Sequence, residues 1–375
     1  MRAWLEIDLG TVARNFQRVR EHLGSHPEIC AVVKADAYGH GIERMARTLD
    51  RAGVDSFAVI SLDEAWGVRK ESAKDVLIMG YLDDNEIAEA VREGFVLSLF
   101  DRELADVYNA IGEREGKDVR VEVKVETGLN RLGMTPGEAL EILAHPQLFP
   151  RIKPKAVFTH LISSSKREIN LMQLARFQPF LDEMQALGID LPVHMENSHA
   201  LPDFPEGRFD LVRLGLAMFG VERVLEGLEP SLQAKTVVIQ KKPLKKGEGT
   251  SYNHLFHAPE DMEIAVIAMG YAEGLSQSMT GKAFALVHGK RVPIVGQICM
   301  NLSVIDVTGI PVRRGDEVVI IGRQGDEEIT VAEMAKACGV RHHEILIRMG
   351  KCLQKVYIED PALKSAQPAA SQRAH

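Results

Sequence analysis

Through the first 220 residues, short apolar runs recur at 29–33, 56–60, 76–79, 95–100, 119–125, 156–159, 192–195 and 211–214. Each is rich in Val, Ile, Leu or Phe with little alternation, the pattern of a strand buried on both faces of a parallel sheet. The intervening stretches place apolar residues at helical spacing, as at 41–52, 84–93, 102–114, 136–144 and 170–187. Alternation of this kind implies right-handed βαβ units, and eight of them predict closure into an α/β fold of the (β/α)8 TIM-type barrel class. Residues 3–7 remain as an extra strand ahead of a helix at 11–23, and the first ten residues are expected to pack on the second domain.

After Glu229 and Pro230 the pattern changes. Runs at 236–239, 263–269, 283–287, 292–295, 303–307 and 317–321 cluster between Gly- and Pro-containing turns, which predicts a mostly-β C-terminal domain. Only 331–338 reads as helical there, with Thr330 as its N-cap. The expected organisation is a barrel over 1–230, a β-rich domain over 231–360, and a disordered tail at 361–375, where Ala, Ser, Gln and Pro dominate without apolar periodicity. A length of 375 residues suits two such domains.

Composition narrows the function classes. A net charge of −8 gives no support for a nucleic-acid partner, and the 45% apolar and 26% charged shares are ordinary for a soluble enzyme. Acidic residues interrupt the N-terminus and no apolar run reaches membrane-spanning length, so a cytoplasmic location with no membrane partner is expected. Cys30, Cys299, Cys338 and Cys352 are scattered without metal-ligand spacing, which predicts reduced thiols and no metal.

In a barrel of this kind, catalytic groups sit at the C-terminal ends of the strands and phosphate binds near the loops after the seventh and eighth. The chain carries chemistry at five such ends. Lys34 and Tyr38 follow the first run, and Lys124 and Arg131 follow the fifth. His160 ends the sixth, Asn197 and Ser198 follow the seventh, and Arg213, Gly215 and Leu216 close the eighth. Singly, each has a plain structural alternative: a snorkelling lysine, a satisfied core histidine, a surface ion pair, a helix cap. Together, a lysine whose amine burial can neutralise and a hydroxyl-and-amide site for a phosphate ester point to pyridoxal 5'-phosphate.

These residues lie in motifs that resemble the alanine racemase family of fold-type III pyridoxal-phosphate enzymes: VKADAYGHG at 33–41, TGLNRLG at 127–133, VRLG at 212–215 followed by Phe219 and Gly220, GYAEG at 270–274, and Cys299 with Met300. The resemblance runs from about Trp4 to Tyr357. It implies an isomerase that interconverts L- and D-alanine for peptidoglycan. Lys34 would carry the cofactor and act as one acid/base group, with Tyr271 as the other. Racemisation needs both, because the proton must leave one face and return to the opposite one. His160 and Arg213 would tune Tyr271, and Arg213 would face the cofactor's pyridine nitrogen. Arg131 and Met300 would hold the substrate carboxylate, Arg131 also meeting the cofactor's phenolic oxygen. Lys124 occupies a position carbamylated in some members. Tyr38, Asn197, Ser198, Gly215, Leu216 and His343 would complete the cofactor site. Tyr271 and Met300 would reach the partner's site in a homodimer.

The chain departs from the family pattern at Glu273, Asn301 and His343, where Asp, Asp and Tyr are usual, and in the loop 161–166, which lacks acidic residues. Those departures motivate a second expectation, a broader amino-acid racemase accepting serine or larger side chains. A low-turnover racemase-like pyridoxal-phosphate-binding protein is a third, opposed by the presence of both Lys34 and Tyr271.

Overall fold

The computed structural model describes residues 1–221 and 224–359, so the tail expected to be disordered lies outside the described residues. The first strand, β1 (Ala3–Asp8), is followed by the helix Leu9–Leu23, whose N-cap Asp8 accepts from the Thr11 N–H. Eight parallel strands then close into a barrel: β2 (Glu28–Val32), β3 (Ser56–Val59), β4 (Val76–Ile78), β5 (Val96–Leu99), β6 (Val119–Lys124), β7 (Ile152–Phe158), β8 (Val193–Asn197) and β9 (Leu211–Leu214). Closure is made by β2 pairing with β9, Cys30 opposite Arg213. Residues of β3, β4 and β5 are almost uniformly buried, because helices cover the outside while side chains fill the inside.

Helix boundaries follow local chemistry. Asp83 and Glu86 form a reciprocal capping box at the start of Asp84–Glu93, and Thr135 with Glu138 does the same ahead of Pro136–Ala144. Left-handed glycines end several helices, as Gly53 and Gly94 do.

The second domain is built on a nine-stranded sheet whose longest member is β10 (Leu232–Leu244). In this sheet β1 lies between β10, which it pairs antiparallel, and Gln354–Ile358, which it pairs parallel. The chain therefore begins in the sheet of the second domain and enters the barrel afterwards. β1 reads as a strand with one buried face because Ala3, Leu5 and Ile7 alternate with Trp4, Glu6 and Asp8.

Two expectations about this domain are corrected. β10 extends well beyond 236–239, since its outward positions are polar and hide the strand from a search for apolar runs. A second helix, His342–Cys352, follows Val331–Cys338. Its Gly350, a poor helix former, packs against Gly39 of the barrel: a Cβ there would lie 2.3 Å from the Gly39 Cα. Among the described residues, no helix is long and apolar enough to cross a membrane.

Candidate active site

Lys34 leaves β2 after a single residue, Val33, and the backbone then turns the wrong way for L-residues. Ala35, Asp36, Ala37 and Tyr38 all have φ between 52° and 55°, four non-glycine residues in the left-handed region. This conformation costs ~1–2 kcal/mol per residue and persists only where its surroundings hold it. Here the Glu64 carboxylate accepts from the Ala35 N–H at 2.6 Å and, more weakly, from Asp36 at 3.4 Å. Asp36 accepts from the Ile42 N–H at 2.8 Å and pairs with Lys355 at 2.9 Å. The Tyr357 hydroxyl donates to the His40 carbonyl at 3.1 Å. The second domain thus secures the far side of the lysine's turn.

The turn opens onto a cavity of about 800 Å³ at the C-terminal end of the barrel. Lys34, Tyr38, Lys124, Arg131, His160, Asn197, Ser198, Arg213, Gly215, Leu216 and His343 all line it. His343 rather than its neighbour His342 faces the cavity, its ring 5.7 Å from that of Tyr38. Arg341 and Ser163 to Ser165 also contribute, and no Asp or Glu lines the wall among the described residues. The lining is therefore made to receive anions.

Electrostatics follow from this clustering. Burial, and then the charge of Arg131, hold the Lys34 amine below the usual lysine range, while Glu64 opposes the shift. Lys124 is lowered to about 8, first by burial and then by Arg131 and Arg213. His160 falls to about 3, again from burial and then Arg213, so its ring is neutral at physiological pH. Burial also lowers Arg213, to about 10, which leaves it charged near neutrality.

Arg213 is held by a buried relay. Its Nη1 donates to His194 Nδ1 at 2.5 Å, and His194 Nε2 meets Glu122 at 2.9 Å. Its Nη2 donates to the Thr159 carbonyl at 2.7 Å and contacts His160 Nδ1 at 3.3 Å. A guanidinium only donates, so both histidines accept at Nδ1 and carry their proton on Nε2. His160 is steadied from behind by Gln173, whose amide donates to the His160 carbonyl at 2.7 Å and whose oxygen accepts from Ile162. At the other wall, Ser198 Oγ accepts from the Gly215 N–H at 3.0 Å and from Ala217 at 3.4 Å.

Arg131 rides on a loop gathered by Glu126, whose carboxylate accepts backbone N–H groups from 128 to 131 and is held low despite partial burial. Tyr271 and Met300 lie outside the cavity of their own chain, 41% and 56% exposed. Their segments are tied together by Tyr271 N–H to Cys299 O at 3.0 Å and Ala272 N–H to Met300 O at 2.8 Å. Glu273 is buried beneath them, accepting from Asn301 and Arg2 at 2.9 Å.

Most of the chain is matched by one family of known proteins. Residues 7–223 match the family described as "Alanine racemase, N-terminal domain" and residues 231–357 the "Alanine racemase, C-terminal domain". The chain belongs to the alanine racemase family. The alanine racemase of Thermodesulfovibrio yellowstonii is 34% identical over 359 residues, covering 94% of this chain and 97% of its own. That of Methanococcus maripaludis is 31% identical over 369 residues, with coverages of 95% and 98%. Among solved structures, alanine racemase from a D-cycloserine-producing Streptomyces lavendulae superposes with a TM-score of 0.91 at 27% identity, over 97% and 98% of the two chains. The Bacillus anthracis alanine racemase with bound L-Ala-P gives 0.88 at 31% identity, over 95% of each. The Bartonella henselae enzyme, with covalently bound pyridoxal phosphate, gives 0.86 at 26% identity, over 96% and 100%.

Within this alanine racemase architecture, the sequence reading missed Glu64, Glu122, Gln173, His194 and Arg341. For Glu122 a signal existed: it lies two residues before Lys124 on β6, so both side chains take the same face. His194 is likewise a polar interruption of an apolar run. Glu64 sits three residues after Ser61, which suggests only a helix cap, and nothing local marks Gln173 or Arg341.

Proposed function

We propose that this chain is a pyridoxal-phosphate-dependent racemase that interconverts L- and D-alanine. The observation that carries the reading is the meeting, in one cavity, of a partly buried Lys34 amine, the Arg213 guanidinium and the Ser198–Gly215 wall. Among the described residues, no hydrogen bond or ion pair engages the Lys34 Nζ. The walls fit the cofactor: a Cβ at Gly215 would lie 2.7 Å from the Tyr38 hydroxyl, so glycine there preserves a cradle for a phosphate. When bound, pyridoxal phosphate supplies the electron sink that makes the substrate's Cα proton acidic.

The chain's own residues then perform the rest. Tyr38, Ser198, Gly215 and Leu216 would hold the phosphate, with Asn197 and His343 completing the cofactor site. Arg213, fixed by His194 and Thr159, keeps its proton at neutral pH; facing the cofactor's ring nitrogen it would not give that proton up, which would temper the sink and disfavour side reactions. Arg131 takes the substrate carboxylate, joined by Met300, and Lys124 beside it is a site for carbamylation. Lys34 Nζ moves the proton on one face of Cα and Tyr271 Oη on the other, with neutral His160 offering its Nε2–H as a donor. Tyr271 and Met300 lie outside their own chain's cavity, which supports a homodimer in which each subunit completes the other's site. A cytoplasmic enzyme of this kind supplies D-alanine for peptidoglycan.

Purified protein tests the reading directly. D-Alanine should form from L-alanine in the wild type. Lys34→Ala should lose both activity and the visible absorbance of bound cofactor, whereas Tyr271→Phe should keep the absorbance and lose most turnover. A fully active Lys34→Ala enzyme would remove the core of the proposal. The serines at 163–165 and His343 in the cavity wall support a broader racemase as the second reading, and rates on serine or lysine comparable to those on alanine would favour it.

A further inference from the structure

We propose that Glu64 is a positioning residue for Lys34, its carboxylate bridging two strand ends of the barrel to fix the left-handed turn through which the lysine enters the cavity. The inference rests on the racemase reading for its kinetic consequence and on geometry alone for the structural one.

The helix Leu62–Arg69 is N-capped by Ser61, whose hydroxyl accepts from the Glu64 N–H at 3.4 Å. A glutamate three residues after a serine cap ordinarily folds back onto the cap's own N–H. Glu64 does not. Its Oε2 accepts from the Ile60 N–H at 3.0 Å, just beyond β3, and its Oε1 reaches across to the Ala35 N–H at 2.6 Å. The carboxylate thereby links the exits of β2 and β3, neighbouring strands that pair Val32 with Ala58.

The position of that link matters. Ala35 is the first left-handed residue after Lys34, and its N–H donates to the Glu64 carboxylate. Without an acceptor the turn would lose the interaction that offsets its strain at its first residue. The Gly39 and Asp36 contacts with the second domain secure only the later part of the turn. Glu64 also opposes, in part, the lowering of the Lys34 amine that burial and then Arg131 impose.

Glu64→Gln is the informative variant, because it keeps shape while placing an NH2 group where the carboxylate accepts from the N–H groups of Ala35, Asp36 and Ile60. In the holoenzyme, hydrogen–deuterium exchange of the amides at 35–38 should quicken about tenfold, with exchange in the other barrel turns unchanged. The α-deuterium isotope effect on kcat/KM should rise for the alanine enantiomer whose proton Lys34 removes. It should fall for the other enantiomer, for which Lys34 returns the proton in the later step. A general loosening would move both isotope effects together. Wild-type protection at 35–38, or isotope effects that shift in the same direction, would overturn the assignment. If the wild type does not racemise alanine, the functional reading fails and the exchange measurement alone decides the role of Glu64.

Discussion

At the scale of single residues, the most consequential feature is the number of ionisable groups held neutral or nearly so by burial. His40 is fully buried, stacked on Phe219 at 4.3 Å between ring centroids, and lowered from 6.5 to about 4. Its Nδ1 donates to the Ala37 carbonyl, leaving Nε2 without a partner among the described residues. The folded chain therefore binds fewer protons than the unfolded chain between those two values. By linkage, stability rises with pH across that window and is lost as pH falls through it, at about 1.4 kcal/mol per pH unit for each such histidine. His160, lowered to about 3, and His194, lowered by burial, act with the same sign. Urea unfolding of the cofactor-free protein should show a midpoint that drops steadily from pH 7 to pH 5, and His40→Gln should shallow that slope.

At the scale of elements, the helix His342–Cys352 and the turn after Lys34 behave as one unit. Gly39 and Gly350 let their backbones approach, and the helix N-terminus places His343 against Tyr38. Gly350→Ala would press a Cβ against the Gly39 backbone, which cannot rotate out of the way. The expected cost is about 1–3 kcal/mol, read as a lower thermal midpoint, together with weaker cofactor retention because His343 moves with its helix. The same contact explains why the helix escaped sequence analysis: two histidines, an arginine, a lysine and a glycine dilute its apolar stripe. By contrast, Asp84–Glu93, Pro136–Ala144 and Val331–Cys338 were legible to the residue, because capping residues and period agree within each segment.

For the whole molecule, the proposed exchange of Tyr271 between subunits makes a quantitative claim. Mixed Lys34→Ala and Tyr271→Phe proteins, each nearly inactive alone, should recover about one quarter of wild-type activity after subunit exchange. Half of the dimers would be mixed, and each would hold one intact site of two. A tyrosine acting in its own chain would give no recovery. The N-terminal strand bears on this assembly, since β1 ties the start of the chain to β10 and Arg2 reaches Glu273 beneath the Tyr271 turn. Asn301 donates to that same Glu273, so the buried carboxylate beneath the Tyr271 turn is met by an amide as well as by Arg2.

Periodicity and motif order alone determined the barrel, the β-rich second domain, and the rim that gathers Lys34, Arg131, His160, Ser198 and Arg213. This follows because strand burial and βα order fix which residues reach the C-terminal face. Tertiary structure alone decided what surrounds those residues. The Glu64 bridge spans 29 positions, the His194–Glu122 contact 72, and the Arg2–Glu273 pair 271. No local pattern encodes such partners, since a carboxylate's choice between capping its own helix and steadying a distant turn depends on which backbone N–H the folded chain leaves unmet.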